Sequence, residues 1–247
     1  MKKKSLWQIW LGIVLIVLSL AFYLVHYLIF RDAHHIFIYL IGDIAFVFFE
    51  VLLVTLIIHE VLNLRERKAL MEKLNMVIGA FFSEVGTSLL GKLAACDPDG
   101  EDIRRELIVT GRWTRERFEK AQQAIRAHEF KIEAKCEDLP AMREMLIGQR
   151  AFLLRLLENQ NVLEHETFTG LLMSVFHLAE ELSARRDVQQ LAEADRSHIA
   201  ADMKRIYGLL TAEWLDYMKY LQEHYPYLFS FAMRTNPFDL TAKPEIR

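Results

Sequence analysis

The feature that most constrains this chain is an apolar run from Ile36 to Ile58 that passes into charged sequence without a turn. Only Asp43 and Glu50 place charge inside the run, and no proline occurs from Ile36 to Leu93. As a helix the run is about 35 Å long, which is enough to cross a hydrocarbon core of about 30 Å. We therefore predict one helix that spans a membrane and continues into water.

An earlier apolar run, Leu6–Phe30, follows the basic residues Lys2–Lys4 and predicts a first span. Residues 1–63 then form a transmembrane hairpin with spans at about 6–30 and 36–62. The small residues of Ser19–Ala21 resemble a signal-peptide cleavage site, but the run continues well past them. Basic residues precede the first span and follow the second. The positive-inside rule thus predicts a multi-pass cytoplasmic (inner) membrane protein with both termini in the cytoplasm.

Four polar residues inside the two spans require an explanation. Asp43 and Glu50 are seven residues apart and share a helical face, as do Ser19 and His26. Antiparallel pairing places His26 opposite Asp43 and Ser19 opposite Glu50. One interpretation is a polar seam that holds helices or several hairpins together. A second is an oligomeric pore or proton path lined by the two acids, and a third is a position near the membrane interface without special meaning.

Residues 64–95 are expected to continue the second span as a helical rod or connector. Small residues line one side of it at Gly79, Ser83 and Gly86. Exposed glycines would each cost a helix about 1 kcal/mol, so we expect a second backbone to pack closely there. That partner is either another helix of the same chain or the same segment of a second copy. Turn-forming residues then follow at 97–100.

Residues 96–235 predict a cytoplasmic bundle of about five helices, with 236–247 as a C-terminal tail, so that the fold class is all-α. Thr114 is the expected N-cap of a helix that runs to about Lys135. Further helices are expected over 139–159, 166–185 and 198–224, the last of them ended by Pro226. The two cysteines, Cys96 and Cys136, form no metal-binding motif and are interpreted as small buried apolar residues.

The sequence contains no phosphate-binding loop and no nucleophile motif, and we predict no enzymatic activity and no cofactor. A carboxylate-bridged metal site in a helical bundle requires Glu-x-x-His pairs. The nearest matches are the pairs His177 with Glu180 and Asp195 with His198, which are candidates for metal binding; we predict no metal. The formal net charge of −3 falls entirely after residue 63 and does not favour nucleic acid as a partner.

Two phrases, Leu74–Gly86 and Tyr225–Ser230, resemble a group of uncharacterised prokaryotic two-span membrane proteins with an α-helical cytoplasmic domain. The resemblance implies the architecture and no activity.

Three functions are compatible with these features. The first is a membrane-anchored, self-associating helical scaffold whose partners are the lipid bilayer, copies of itself and a cytoplasmic protein. The second is an oligomeric ion channel or proton-coupled protein lined by Asp43 and Glu50. The third is a metal-dependent enzyme in the bundle. The missing catalytic motifs favour the first.

Overall fold

A computed structural model describes residues 2–134 and 138–245, except for the side chains of residues 2–6 and 8; Cys136 lies outside the described residues. Within these ranges the regular structure is helical, with no strand, as the sequence predicts. The chain divides into two compact units, Met1–Arg67 and Lys68–Arg247.

The N-terminal unit consists of two long apolar helices. Helix α1 is Lys2–Phe30, and helix α2 begins at Ala33 and ends at Phe81, within the second unit. Arg31 joins them with a φ of 49°, and the Asp32 carboxylate accepts a hydrogen bond from the His35 amide at 3.2 Å. By length and composition both helices are able to cross a membrane. None of the most apolar stretch of either helix is buried within the protein.

The C-terminal unit begins with the end of α2. A single π-helical turn, Phe82–Gly86, follows and leads into α3. The later helices are α3 (Thr87–Ala95), α4 (Glu101–Glu106), α5 (Arg115–Ala127), α6 (Leu139–Gly148), α7 (Arg150–Leu157), α8 (Gln160–Leu163), α9 (Glu166–Ala184), α10 (Glu193–His224) and α11 (Pro226–Arg234).

Helix α10 is the centre of this unit and packs against α3, α5, α9 and α11. Its buried face includes Ile206, Leu210 and Met218, which recur at helical spacing and lie against the other apolar faces. Aromatic contacts join the helices. The ring of Phe81 meets that of Phe168 at 5.5 Å between centroids.

The sequence-predicted helix that begins at the Thr114 N-cap ends earlier than expected. The Thr114 hydroxyl accepts a hydrogen bond from the Arg117 amide as predicted, but α5 stops at Ala127 instead of Lys135. The segment that follows, beginning with His128 in an extended conformation, has no regular secondary structure. Phe130 of this segment is buried against the ring of Tyr207 on α10. Burial of this phenyl ring offsets the helical hydrogen bonds that the segment gives up.

Other boundaries also differ from the sequence prediction. The helix expected over 139–159 is divided at Gln149 into α6 and α7, and α10 begins five residues before His198. The first part of the predicted tail packs into the C-terminal unit. Asn236 is buried and its amide donates a hydrogen bond to the Leu107 carbonyl at 2.9 Å, while Phe238 packs on Trp214.

Candidate functional site

Three of the four polar residues predicted within the spans surround one cavity of the N-terminal unit. Ser19, His26 and Asp43 line a space of about 670 Å³ whose other walls are mostly apolar. The ring of His26 stacks on His35 with 5.9 Å between centroids and 5° between planes. Its Nδ1 atom is buried and has no hydrogen-bond partner among the described residues.

Glu50 is not among the residues that line this cavity and is exposed on the surface of α2. Ser19 lines the cavity together with Asp43, whereas the sequence-based pairing places it opposite Glu50. The single chain therefore presents one acid, Asp43, beside a mostly apolar cavity that also holds Ser19 and His26, and the other, Glu50, on an open apolar surface. The channel hypothesis, which requires both acids to line one path, stays a prediction.

The two glycines predicted to pack against a second backbone instead meet aromatic side chains of the C-terminal unit. A Cβ atom added to Gly79 would lie 3.1 Å from the Tyr217 hydroxyl, so the partner at this position is α10 of the same chain. At Gly86 the same addition would meet the rings of Phe81 and Phe82 at 2.9 and 2.6 Å. Ser83 is exposed and lines a shallow groove beside Tyr217.

The candidate metal ligands separate into two groups. Glu180 and Asp195 form ion pairs with arginines, Glu180 with Arg150 at 2.6 Å and Asp195 with Arg185 at 2.9 Å. The two histidines, His177 on α9 and His198 on α10, instead come together, with ring centroids 6.4 Å apart.

Asp202 lies between these histidines. Its Oδ2 atom is 3.4 Å from His177 Nε2 and 3.5 Å from His198 Nε2. The side chain of Asp202 is 6% exposed, whereas those of His177 and His198 are 48% and 51% exposed. The cluster thus has a buried carboxylate at its base and two half-exposed imidazoles at its rim.

Two arginines hold the acidic groups of this cluster in place. Arg205 donates to Asp202 Oδ1 at 2.6 Å. Arg185 donates to Glu181 Oε2 at 2.6 Å, and that oxygen lies 3.6 Å from His198 Nε2. The hydrogen bond from Arg185 is the main reason that the pKa of the Glu181 carboxyl is lowered.

Sequence reasoning missed Asp202 and Glu181 because it searched for ligands three residues apart. In the structure, each histidine of the cluster has its acid four residues later in the sequence. The pairs are His177 with Glu181 and His198 with Asp202. On a helix both spacings place side chains on one face, so the i, i+4 pairs were visible in the sequence as well. What the sequence did not show is which of the neighbouring acids, Glu180 or Glu181, lies beside the partner helix.

A second buried polar group closes the turn after α3. Asp97 is 2% exposed; its Oδ1 accepts a hydrogen bond from the Asp99 amide, and its carbonyl accepts one from Arg104. Burial raises the pKa of the Asp97 carboxyl, and the hydrogen bond from the Asp99 amide is the main effect that opposes the rise. These contacts anchor a turn and do not form an open site.

Comparison with known proteins follows the same division of the chain. Residues 70–234 match the family model described as "Uncharacterized protein MJ1433, C-terminal helical domain", and residues 2–62 match that of the MJ1433 N-terminal helical domain. The chain is 42% identical over 229 residues to "Uncharacterized protein MJ1433" of Methanocaldococcus jannaschii. The aligned region covers 93% of this chain and 92% of that protein. No solved structure matches. The chain belongs to the family of the uncharacterized protein MJ1433.

Proposed function

We propose that this protein is a non-enzymatic, membrane-anchored helical scaffold that associates with copies of itself and presents its C-terminal helical unit to a partner in the cytoplasm. The observation that carries the proposal is the bare apolar surface of α1 and α2. Large apolar side chains such as Phe48 and Ile41 are 75% and 69% exposed. A contiguous apolar surface of this size indicates contact with lipid or with other protein.

The charge distribution supports an orientation for this anchor. Lys2–Lys4 precede α1, and Arg65, Arg67 and Lys68 follow the apolar part of α2. The connection between the helices carries Arg31 and Asp32, which balance each other. Because basic flanks remain in the cytoplasm, we infer that both chain termini and the C-terminal unit lie there.

The exposed acids support self-association. Asp43 and Glu50 lie about 6 and 5 Å along the helix from the midpoint of the apolar run, at a rise of 1.5 Å per residue. An ionisable side chain at that depth costs several kcal/mol when it faces hydrocarbon, so such residues usually face protein or a water-filled cavity. Asp43 has the cavity beside Ser19 and His26. Glu50 lines no such cavity within one chain, and a second copy is the simplest source of a polar partner for it.

Self-association is tested by energy transfer between labelled full-length chains in liposomes, measured over a range of protein-to-lipid ratios. We expect transfer that rises with protein density and a weaker response for Glu50→Leu. An interhelical polar contact in a membrane is worth about 1 kcal/mol, which corresponds to about a fivefold change in the dissociation constant. Phe48→Leu, which changes an exposed apolar residue nearby, is the matched control.

Two results would reject the proposal. One is energy transfer no greater than that of chains distributed at random at every density, which would show a monomer. The other is a C-terminal alkaline phosphatase fusion that is active outside the cell while the equivalent fluorescent-protein fusion is dark, which would place the helical unit on the wrong side.

A further inference from the structure

The cluster on α9 and α10 has a regular geometry that goes beyond the scaffold function. His177 approaches Asp202, and Glu181 approaches His198. From the first contact to the second, the residue number rises by four on α9 and falls by four on α10. The two helices therefore run antiparallel here. Each helix contributes one histidine and one acid at i, i+4, so both pairs face the seam between them.

The Asp202 carboxylate is the second, independent indication of a ligand. Its Oδ1 is paired with Arg205, but Oδ2 is buried and has no hydrogen-bond donor among the described residues. Leaving one oxygen of a buried carboxylate without a partner is costly, since the group has lost its water. Oδ2 points to the two imidazole Nε2 atoms at distances too long for good hydrogen bonds.

We propose that His177, His198 and Asp202 bind one divalent transition-metal ion through the two Nε2 atoms and Oδ2. Ligand atoms about 2.0 to 2.1 Å from a tetrahedral ion lie about 3.4 Å from each other. The distances from Oδ2 to the two nitrogens are 3.4 and 3.5 Å, which match that geometry. All three ligand atoms lie within 4.8 Å of one another. A movement of about 1 Å by the half-exposed rings brings the nitrogens to the tetrahedral separation.

The ligand chemistry selects the class of ion. Two imidazole nitrogens with one carboxylate oxygen suit zinc and its neighbours in the first transition series. Calcium and magnesium prefer oxygen ligands and are disfavoured by this set. Arg205 fixes the carboxylate from behind through Oδ1, which is the supporting role that outer hydrogen bonds have in metal sites.

The site has room for a further ligand. Both histidines are about half exposed, so the side of the ion that faces away from Asp202 is open to water. Three protein ligands and an open position are the arrangement found where a bound ion contacts a substrate or a partner's side chain. Glu181 stands next to this position, held by Arg185.

The experiment uses the full-length chain in non-ionic detergent, purified without a polyhistidine tag and stripped of metal with a chelator. Zinc is titrated by calorimetry, and cobalt(II) is added in parallel because its visible absorption reports tetrahedral coordination. We expect one equivalent of zinc per chain, an intense cobalt band, and a higher unfolding temperature with metal bound. Asp202→Asn, which keeps the side-chain shape, and the double variant His177→Ala/His198→Ala should weaken binding by about 100-fold or more.

The controls are Glu180→Gln, which removes the acid next to Glu181, and His224→Ala, which removes an exposed histidine of α10. Both should bind zinc as the natural chain does. Helix content by circular dichroism shows that each variant is folded. The proposal is overturned if no stoichiometric zinc binds, if the double variant binds normally, or if the controls lose binding equally. It is also overturned if the natural chain takes up no metal and Asp202→Asn lowers the unfolding temperature only at acidic pH. The cluster would then be a set of ion pairs.

Discussion

The partly buried carboxyl of Glu213 on α10 leads to a quantitative prediction about pH and stability. It lines a cavity of about 360 Å³ between the end of α2 and α10, near Asp216 and Lys219. Burial, and to a lesser extent the charge of Asp216, raises its pKa from 4.5 to about 7. The change to test is Glu213→Gln, which keeps the shape and removes the ionisation.

The sign follows from proton uptake. Between about pH 4.5 and 7 the folded chain holds the Glu213 proton and the unfolded chain has released it, so the folded state binds more protons. Its free energy of unfolding therefore decreases as the pH rises through that window. Because a pKa difference of one corresponds to about 1.4 kcal/mol, the full effect is about 3 kcal/mol. Partial solvation of the cavity reduces the expected loss to about 1 to 3 kcal/mol.

The assay is thermal unfolding of the full-length chain in detergent, followed by tryptophan fluorescence at about pH 5 and about pH 8. For a unit of this size 1 kcal/mol corresponds to about 2 to 4 °C. We expect the unfolding temperature of Glu213→Gln to match that of the natural chain at the lower pH and to exceed it by about 2 to 12 °C at the higher pH. Glu193→Gln, at an exposed position of the same helix that does not line this cavity, should show no such difference. A Glu213→Gln chain that is less stable at pH 8 would refute the reasoning.

Three further predictions concern contacts of the C-terminal unit, each measured as the change in unfolding free energy. Asn236→Leu should destabilise by about 1 to 3 kcal/mol, since it leaves the buried Leu107 carbonyl without its donor; no change would show that the tail is not anchored. Thr114→Ala should cost about 1 kcal/mol through loss of the α5 N-cap, while Thr241→Ala in the tail should cost little. Gly86→Ala should cost about 1 to 3 kcal/mol because the new methyl group meets the Phe81 and Phe82 rings, and a neutral result would show that these rings move freely.

The all-α class and the two long apolar helices could be predicted from the sequence because they depend on local signals. Apolar runs without proline indicate long helices, while Thr114 marks the start of one helix and Pro226 the end of another through chemistry that acts within one turn. The end of α5 could not be predicted in this way. Residues 128–134 are not helical because Phe130 contacts Tyr207, which lies far away in the sequence.

The candidate site shows the same division. The sequence identified His177 and His198 as candidates, and helical spacing required any acidic ligand to share a face with one of them. Several acids near each histidine in the sequence meet that requirement. Glu180 is paired with Arg150 of α7, and Asp195 with Arg185 at the end of α9. These pairings depend on how α9 packs against α7 and α10.

By itself the sequence determined the all-α class and which surfaces are apolar, because periodicity and side-chain transfer energy are properties of short stretches. Only the tertiary structure decided that Asp202 is buried with one oxygen unpaired between two imidazoles, and that Gly79 faces Tyr217 of the same chain. Those outcomes depend on the packing angle and register of helices that are distant in the chain, which no local pattern encodes.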